Sequence, residues 1–219
     1  AIFHQRFSTN TAPSWGLAQP FRTLAHNGEI NTLKGNINWM KVHEQEMKSP
    51  LFQNIENLKP VIPSGNSDSA SLDNVFELLT ISGHSAPLAK LILIPDAWSK
   101  KSKVLPKEHL QLFNFLNSSM EPWDGPATIA GIDNDWAIVA SDRNGLRPMR
   151  YTVSKDRLLF AGSEAGMIKL DENKIIEKGR LGPGEILGVR IEKGKIFRNT
   201  QIKNYLAKEY KHFNNQIIN

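Results

Sequence analysis

The sequence predicts an α+β fold built on antiparallel strands, and three observations carry that reading. Apolar residues recur at helical spacing in the segments before Glu121. After Glu121-Pro122-Trp123-Asp124-Gly125-Pro126 the character changes to short apolar runs punctuated by turn residues. Helices and strands are thus grouped rather than alternated, which favours antiparallel hairpins over βαβ units.

Each element has its own signal. Phe21 to His26 reads as a strand, with Asn27-Gly28 after it as a strong turn dipeptide. Asn31 is placed to cap a helix over 32–47, where Leu33, Ile37 and Met40 form one stripe and Gly35 weakens it. Residues 48–66 read as a loop. Ser67 or Asp68 caps the next helix, 69–82, in which Leu72, Val75, Phe76 and Leu79 fall on one face and Gly83 suits the stop. Further helices are expected over 86–94 and 107–118, the latter with Leu110, Phe113 and Leu116 or Asn117 on one side. Three hairpins follow. Ala127–Ile132 and Trp136–Ser141 flank Asp133-Asn134-Asp135. Arg150–Val153 and Leu158–Gly162 flank Ser154-Lys155-Asp156. Ile186–Ile191 and Lys195–Phe197 flank Glu192-Lys193-Gly194. A last helix is expected over 200–212.

Composition narrows the function classes. The 219 residues suit one domain, or a large part of one. With no cysteine, disulfides, thiolate metal sites, iron–sulfur ligation and cysteine nucleophiles all fall outside this chain. That composition fits a cytoplasmic protein. The net charge of +5 and pI of about 9.4 invite a nucleic-acid reading. The basic residues are spread out, however, and the densest run, Lys100, Lys101 and Lys103, sits in a loop, so a lysine-rich solvated surface is the better reading. No apolar stretch approaches the ~20 residues of a membrane helix. The first methionine is Met40, and Ala1-Ile2-Phe3-His4 reads like the inside of a strand, so a fragment or processed chain is expected.

Four polar, glycine-containing segments beside apolar runs are candidates for chemistry: His4–Asn10, His26–Asn31, Ser64–Ser69 and Asp142–Pro148. Arg6 has the forked guanidinium that binds a carboxylate through two parallel hydrogen bonds. The Asn27 amide and the Gly28 N–H are donors of the kind an oxyanion hole needs. Asp68 suits an ammonium. Each also has an ordinary reading. Asn-Gly is most often a plain turn, a lone Arg is usually a surface residue, Asp68 is a good N-cap, and Asp142–Pro148 is most simply a hairpin connection.

Five segments in order shift that balance. Phe3–Met40 (FHQRFSTNTAPSWGLAQPFRTLAHNGEINTLKGNINWM), Gly65–Leu79 (GNSDSASLDNVFELL), Glu121–Pro126 (EPWDGP), Asp142–Pro148 (DRNGLRP) and Gly179–Leu187 (GRLGPGEIL) are similar to the glutamate synthase large-subunit family. That family is a branch of the class II glutamine amidotransferases, and the likeness runs from about residue 3 to 210. It implies an N-terminal nucleophile fold, an αββα sandwich of two antiparallel sheets between helix layers, here incomplete. Residues 1–212 would be the C-terminal portion of the amidotransferase domain, and 213–219 a tail or the start of a linker.

The resemblance also implies a chemistry. An N-terminal cysteine attacks the glutamine amide with its own α-amino group as base, releases ammonia and leaves a thioester for water. Ammonia then reaches a synthase domain and reacts with 2-oxoglutarate, with FMN, an iron–sulfur cluster and NADPH or ferredoxin supplying electrons. A small electron-transfer subunit or ferredoxin is the implied partner; nucleic acid and membrane are not. Carried onto this chain, Arg6 would bind the glutamine α-carboxylate, Asn27 and Gly28 would form the oxyanion hole, and Asp68 would hold the α-ammonium. Thr9 would place a hydroxyl near the carboxylate. Because the chain has no cysteine, the nucleophile is expected in preceding sequence and the synthase half in following sequence. Two alternatives remain: a phosphoribosyl-pyrophosphate amidotransferase, which shares parts of the pattern, and a non-catalytic module that keeps a glutamine pocket. The segment HNGEINT followed by Asn-x-Asn-Trp favours glutamate synthase over the first.

Overall fold

Helix and strand signals sort as their grouping suggests in a computed structural model, which describes residues 1–6, 12–97 and 105–217, with side chains as far as 210. The first strand is β1 (Leu24–Gly28). Four helices follow: α1 (Leu33–Glu46), α2 (Asp68–Ile81), α3 (Ala86–Leu93) and α4 (Lys107–Ser119). Seven strands come next: β2 (Ala127–Ile132), β3 (Trp136–Ser141), β4 (Arg150–Ser154), β5 (Leu159–Gly162), β6 (Ile175–Arg180), β7 (Ile186–Arg190) and β8 (Lys195–Phe197). Helix α5 (Asn199–Ile217) ends the described chain. All three expected hairpins form. Strand β6 was not anticipated; its sequence IIEKGR has no apolar run to betray it.

The strands make two antiparallel sheets, β1-β2-β3-β7-β8 and β5-β4-β6. Helices α2, α3 and α5 pack on one face of the larger sheet, against β1, β3 and β7 respectively. The main core lies there, around Leu24, Phe76, Leu88, Ile129, Trp136, Ile186 and Ile202. The period-two alternation of strands sends the intervening residues to the opposite face. There Val139 and Leu187 pack with Tyr151, Leu159 and Ala161 of the smaller sheet and with Met149 and Leu181, which flank its strands. The described residues are therefore layered helix, sheet, sheet, an α+β arrangement with antiparallel sheets as expected.

Two loop readings need correction. Asn27-Gly28 is not a turn after the strand; both residues lie inside β1 and pair with Thr128 and Ala127. Tertiary pairing overrides the local turn preference. Glycine is still required, because Gly28 has φ +152° and a β-carbon there would collide with the Pro126 carbonyl. Asp142–Pro148 is not a hairpin connection either, since β3 and β4 belong to different sheets. The buried Asp142 carboxylate organises this crossing by accepting the N–H groups of Ala127 (3.1 Å), Asn144 (2.8 Å) and Leu146 (3.0 Å). One cap moves and one holds. Thr32 rather than Asn31 precedes α1, while Ser67, one of the two expected candidates, caps α2, its hydroxyl accepting the Ala70 N–H at 3.1 Å.

Candidate functional site

Strand β1 positions the candidate residues. Leu24 and His26 face α2: the Leu24 N–H donates to Asp73 at 3.0 Å, and His26 Nδ1 lies 2.7 Å from Ser69 Oγ. Alternation then turns Ala25 and Asn27 to the other face. Both line a cavity of about 1540 Å³ between the two sheets. Arg6 and Arg147 line the same cavity, as do Thr128, Ala130, Val139 and Leu187. The structure thus brings Arg6, Asn27 and Arg147 to the lining of one space. Arg6 is exposed, and His4 Nδ1 lies 3.0 Å from its backbone nitrogen.

The open edge of β1 fixes where Gly28 aims. Gln19 binds both backbone groups of His26, its amide donating to the carbonyl at 2.9 Å and its oxygen accepting the N–H at 2.6 Å. His26 therefore points its backbone groups away from β2, and an antiparallel strand repeats that direction every second residue. The Gly28 N–H, two residues on, is directed to the same edge. One residue thus offers a side-chain amide on the cavity face, and its neighbour offers a backbone N–H at the strand edge.

Asp68 sits at the end of this strand. Its carboxylate accepts the Ile30 N–H at 2.9 Å and lies 3.4 Å from the Ser69 hydroxyl. It occupies the first turn of α2, where the helix dipole favours an anion, but it is not the cap. His26 stands 4.0 Å from it and is buried. Burial lowers the His26 pKa to about 4 despite the pull of Asp68, so the imidazole is neutral at physiological pH. Thr9 lies outside the described residues, as do Lys100, Lys101 and Lys103.

Sequence reasoning missed three residues that shape this site. Asp73 clamps the entry to β1 through the N–H groups of Thr23 (3.0 Å) and Leu24 (3.0 Å) and the Thr23 hydroxyl (2.7 Å). His26 and Arg147 lie inside two of the candidate segments, but neither carries a role of its own there. A histidine directly before Asn27-Gly28 was a usable signal; nothing local marked Asp73.

No group of three or more His, Cys, Asp or Glu able to hold a metal occurs among the described residues. An iron–sulfur cluster does not fit this chain's donor set, because it needs thiolates and the chain has no cysteine. No described helix is long and apolar enough to cross a membrane.

The sequence pattern of the family described as glutamine amidotransferases class-II matches residues 1–214. The chain is similar to the glutamate synthase (NADPH) large chain of Azospirillum brasilense, 55% identical over 208 residues. That match covers 94% of this chain and 14% of the relative. It is 46% identical over 210 residues to the ferredoxin-dependent glutamate synthase of Cyanidium caldarium, covering 94% of this chain and 13% of that one. Among solved structures it is similar to a glutamine phosphoribosylpyrophosphate amidotransferase from B. subtilis, with TM-score 0.48 and 19% identity, over 89% of this chain and 33% of that one.

Proposed function

This chain belongs to the class-II glutamine amidotransferases, and from that premise we propose that it is the glutamine-binding and oxyanion-hole portion of a glutamate synthase. Glutamine is the substrate. Arg6 pairs with its α-carboxylate, Asp68 receives its α-ammonium, and Thr9 supplies a hydroxyl near the carboxylate. The nucleophile is an N-terminal cysteine of the longer polypeptide, with its own α-amino group as base. As it attacks the side-chain amide, the carbonyl oxygen gains charge, and the Asn27 amide and Gly28 N–H stabilise it. Donors already held by a strand need no reorganisation when that charge develops. Ammonia leaves, water hydrolyses the thioester, and the ammonia passes to a synthase region to react with 2-oxoglutarate. FMN, an iron–sulfur cluster and NADPH or ferredoxin supply electrons in that region. A small electron-transfer subunit or ferredoxin is the partner, and the compartment is the cytoplasm. Residues 1–212 form the amidotransferase part, and 213–219 lead toward the synthase.

The observation that supports this most is the register of β1. It sets Asn27 on the face of the cavity that Arg6 also lines, directs the Gly28 N–H to the open edge, and leads into Ile30, whose N–H binds Asp68. The names of the relatives favour glutamate synthase over the phosphoribosyl-pyrophosphate branch.

Arg6→Ala and Asp68→Ala in the full-length polypeptide test the proposal. Charge-assisted hydrogen bonds are worth ~1.5–3 kcal/mol, so each variant should weaken glutamine use by about 10- to 200-fold through KM or kcat/KM. Ammonia-dependent glutamate synthesis, which bypasses the pocket, should be spared. If Asp68→Ala lowers the melting temperature but leaves the KM for glutamine unchanged, Asp68 only supports α2 and its assignment is wrong.

A further inference from the structure

An ammonium acceptor needs its carboxylate aimed, and Asp68 is held by its neighbours. Two neighbours do part of this: the Ile30 N–H takes Oδ2 at 2.9 Å, and the Ser69 hydroxyl stands 3.4 Å from Oδ1. Behind Ser69 lies His26, with Nδ1 2.7 Å from Ser69 Oγ and 4.0 Å from the Asp68 carboxylate. Its side chain has no solvent exposure.

The direction of the hydrogen bonds follows from the charges. A carboxylate only accepts, so the Ser69 hydroxyl must donate toward Asp68. Ser69 Oγ is then left as the acceptor, and His26 Nδ1 must carry the proton. A neutral imidazole in this tautomer has a bare Nε2. That nitrogen is buried and has no hydrogen-bond partner among the described residues. A bare acceptor in such a place costs less than an orphaned N–H, which the other tautomer or the imidazolium would bury. The depressed pKa of His26, caused mainly by burial, agrees. The chain of donors therefore runs one way: His26 Nδ1–H to Ser69 Oγ–H to Asp68.

We propose that His26 and Ser69 are a positioning pair that orients the Asp68 carboxylate for the substrate ammonium. The proposal rests on the reading of Asp68 as the ammonium acceptor. Neither residue touches substrate. They couple the strand carrying Asn27 and Gly28 to the helix carrying Asp68, so both ends of glutamine are held to one frame.

Four variants of the full-length polypeptide test it, with Asp68→Ala as the reference. His26→Leu removes the donor, His26→Asn keeps an N–H near the Nδ1 position, Ser69→Ala cuts the link with little change of volume, and the double variant His26→Leu/Ser69→Ala closes the cycle. KM and kcat for glutamine, ammonia-dependent turnover and melting temperature are measured on each. Ser69→Ala and His26→Leu should each raise the KM for glutamine about tenfold, the loss of one hydrogen bond to a charged group. Both should leave kcat and ammonia-dependent turnover within about twofold. The double variant should be no worse than either single one, because both break the same chain. His26→Asn should recover most of the KM. A packing role alone predicts lowered melting temperatures with an unchanged KM. An unchanged KM in Ser69→Ala, multiplicative losses in the double variant, or no rescue by His26→Asn would each overturn the proposal. If Asp68→Ala also leaves KM unchanged, the assignment of Asp68 itself has failed. If Asp68→Ala raises KM while Ser69→Ala does not, the positioning pair alone has failed.

Discussion

Replacing Asp73 should release β1 from α2. Asp73 is 2% exposed, and its carboxylate accepts the N–H groups of Arg22 (3.4 Å), Thr23 (3.0 Å) and Leu24 (3.0 Å) and the Thr23 hydroxyl (2.7 Å). In Asp73→Ala these four donors lose their acceptor. Arg22 is exposed and Thr23 half-buried, so water replaces the carboxylate for most of them. Leu24 is fully buried and its N–H has nothing to turn to. A buried donor left unsatisfied costs about 1–3 kcal/mol, and the remaining bonds to a charged group add a similar amount, giving about 3–4 kcal/mol in all. Asp73→Asn keeps one carbonyl-type oxygen for Thr23 and Leu24 and should lose about half as much. Guanidinium denaturation of the 219-residue chain, read by linear extrapolation, measures both. Amide exchange at Leu24 should quicken in step. A loss below about 1 kcal/mol in Asp73→Ala would refute the reasoning and show that packing, not the carboxylate, holds β1.

Three further predictions are independent of that one. Asn27→Ala in the full-length polypeptide should lower kcat for glutamine by about 10²–10³ with little change in KM, the signature of a lost oxyanion donor; near-normal kcat would leave Asn27 a strand residue only. The chain as it stands should release no ammonia from glutamine, since it has no thiol, and turnover above a heat-killed control would contradict this. His26 should make the fold sensitive to acid. Its folded pKa of about 4 lies below the ordinary 6.5, so between those values the unfolded chain holds the extra proton. Stability is then complete above pH 6.5 and falls toward pH 4, by at most about 3 kcal/mol. Denaturation at pH 7 and pH 4.5 should show this loss in the parent and a flatter profile in His26→Asn; equal losses would assign the effect to other groups.

What the sequence disclosed was local. The stripe Leu72, Val75, Phe76 and the hairpin pairs with three- or four-residue connections depend only on near neighbours, and they appear where expected. What it hid depends on distant partners. Asn27-Gly28 carries a turn signature, yet it pairs with Thr128 and Ala127. Asp142 looked like the start of a loop, and only the pairing of β4 with β5 and β6 shows that the chain changes sheets after it. Asp73 looks like any helical carboxylate until its partners, 50 residues earlier, are seen. Arg6, Asn27 and Asp68 were singled out by likeness to known motifs. Their residue types alone allowed ordinary surface, turn and cap readings, because a binding site is defined by what converges on it and not by spacing along the chain.

The pairing of β1 with β2 bears on how this chain assembles. Thr128 and Asn27, which face each other across the ladder, are 101 residues apart, whereas the hairpins close over short turns. Closing a long loop costs entropy that nearby contacts do not incur, so strands β2 to β8 can zip together before the first strand arrives. The segment from Leu24 to Ile30 is then the late arrival in folding, and by the same logic the early departure when the domain breathes. A ligand that bridges Asn27 and Asp68 acts as a fastener on that seam, and it should slow opening there more than anywhere else in the molecule.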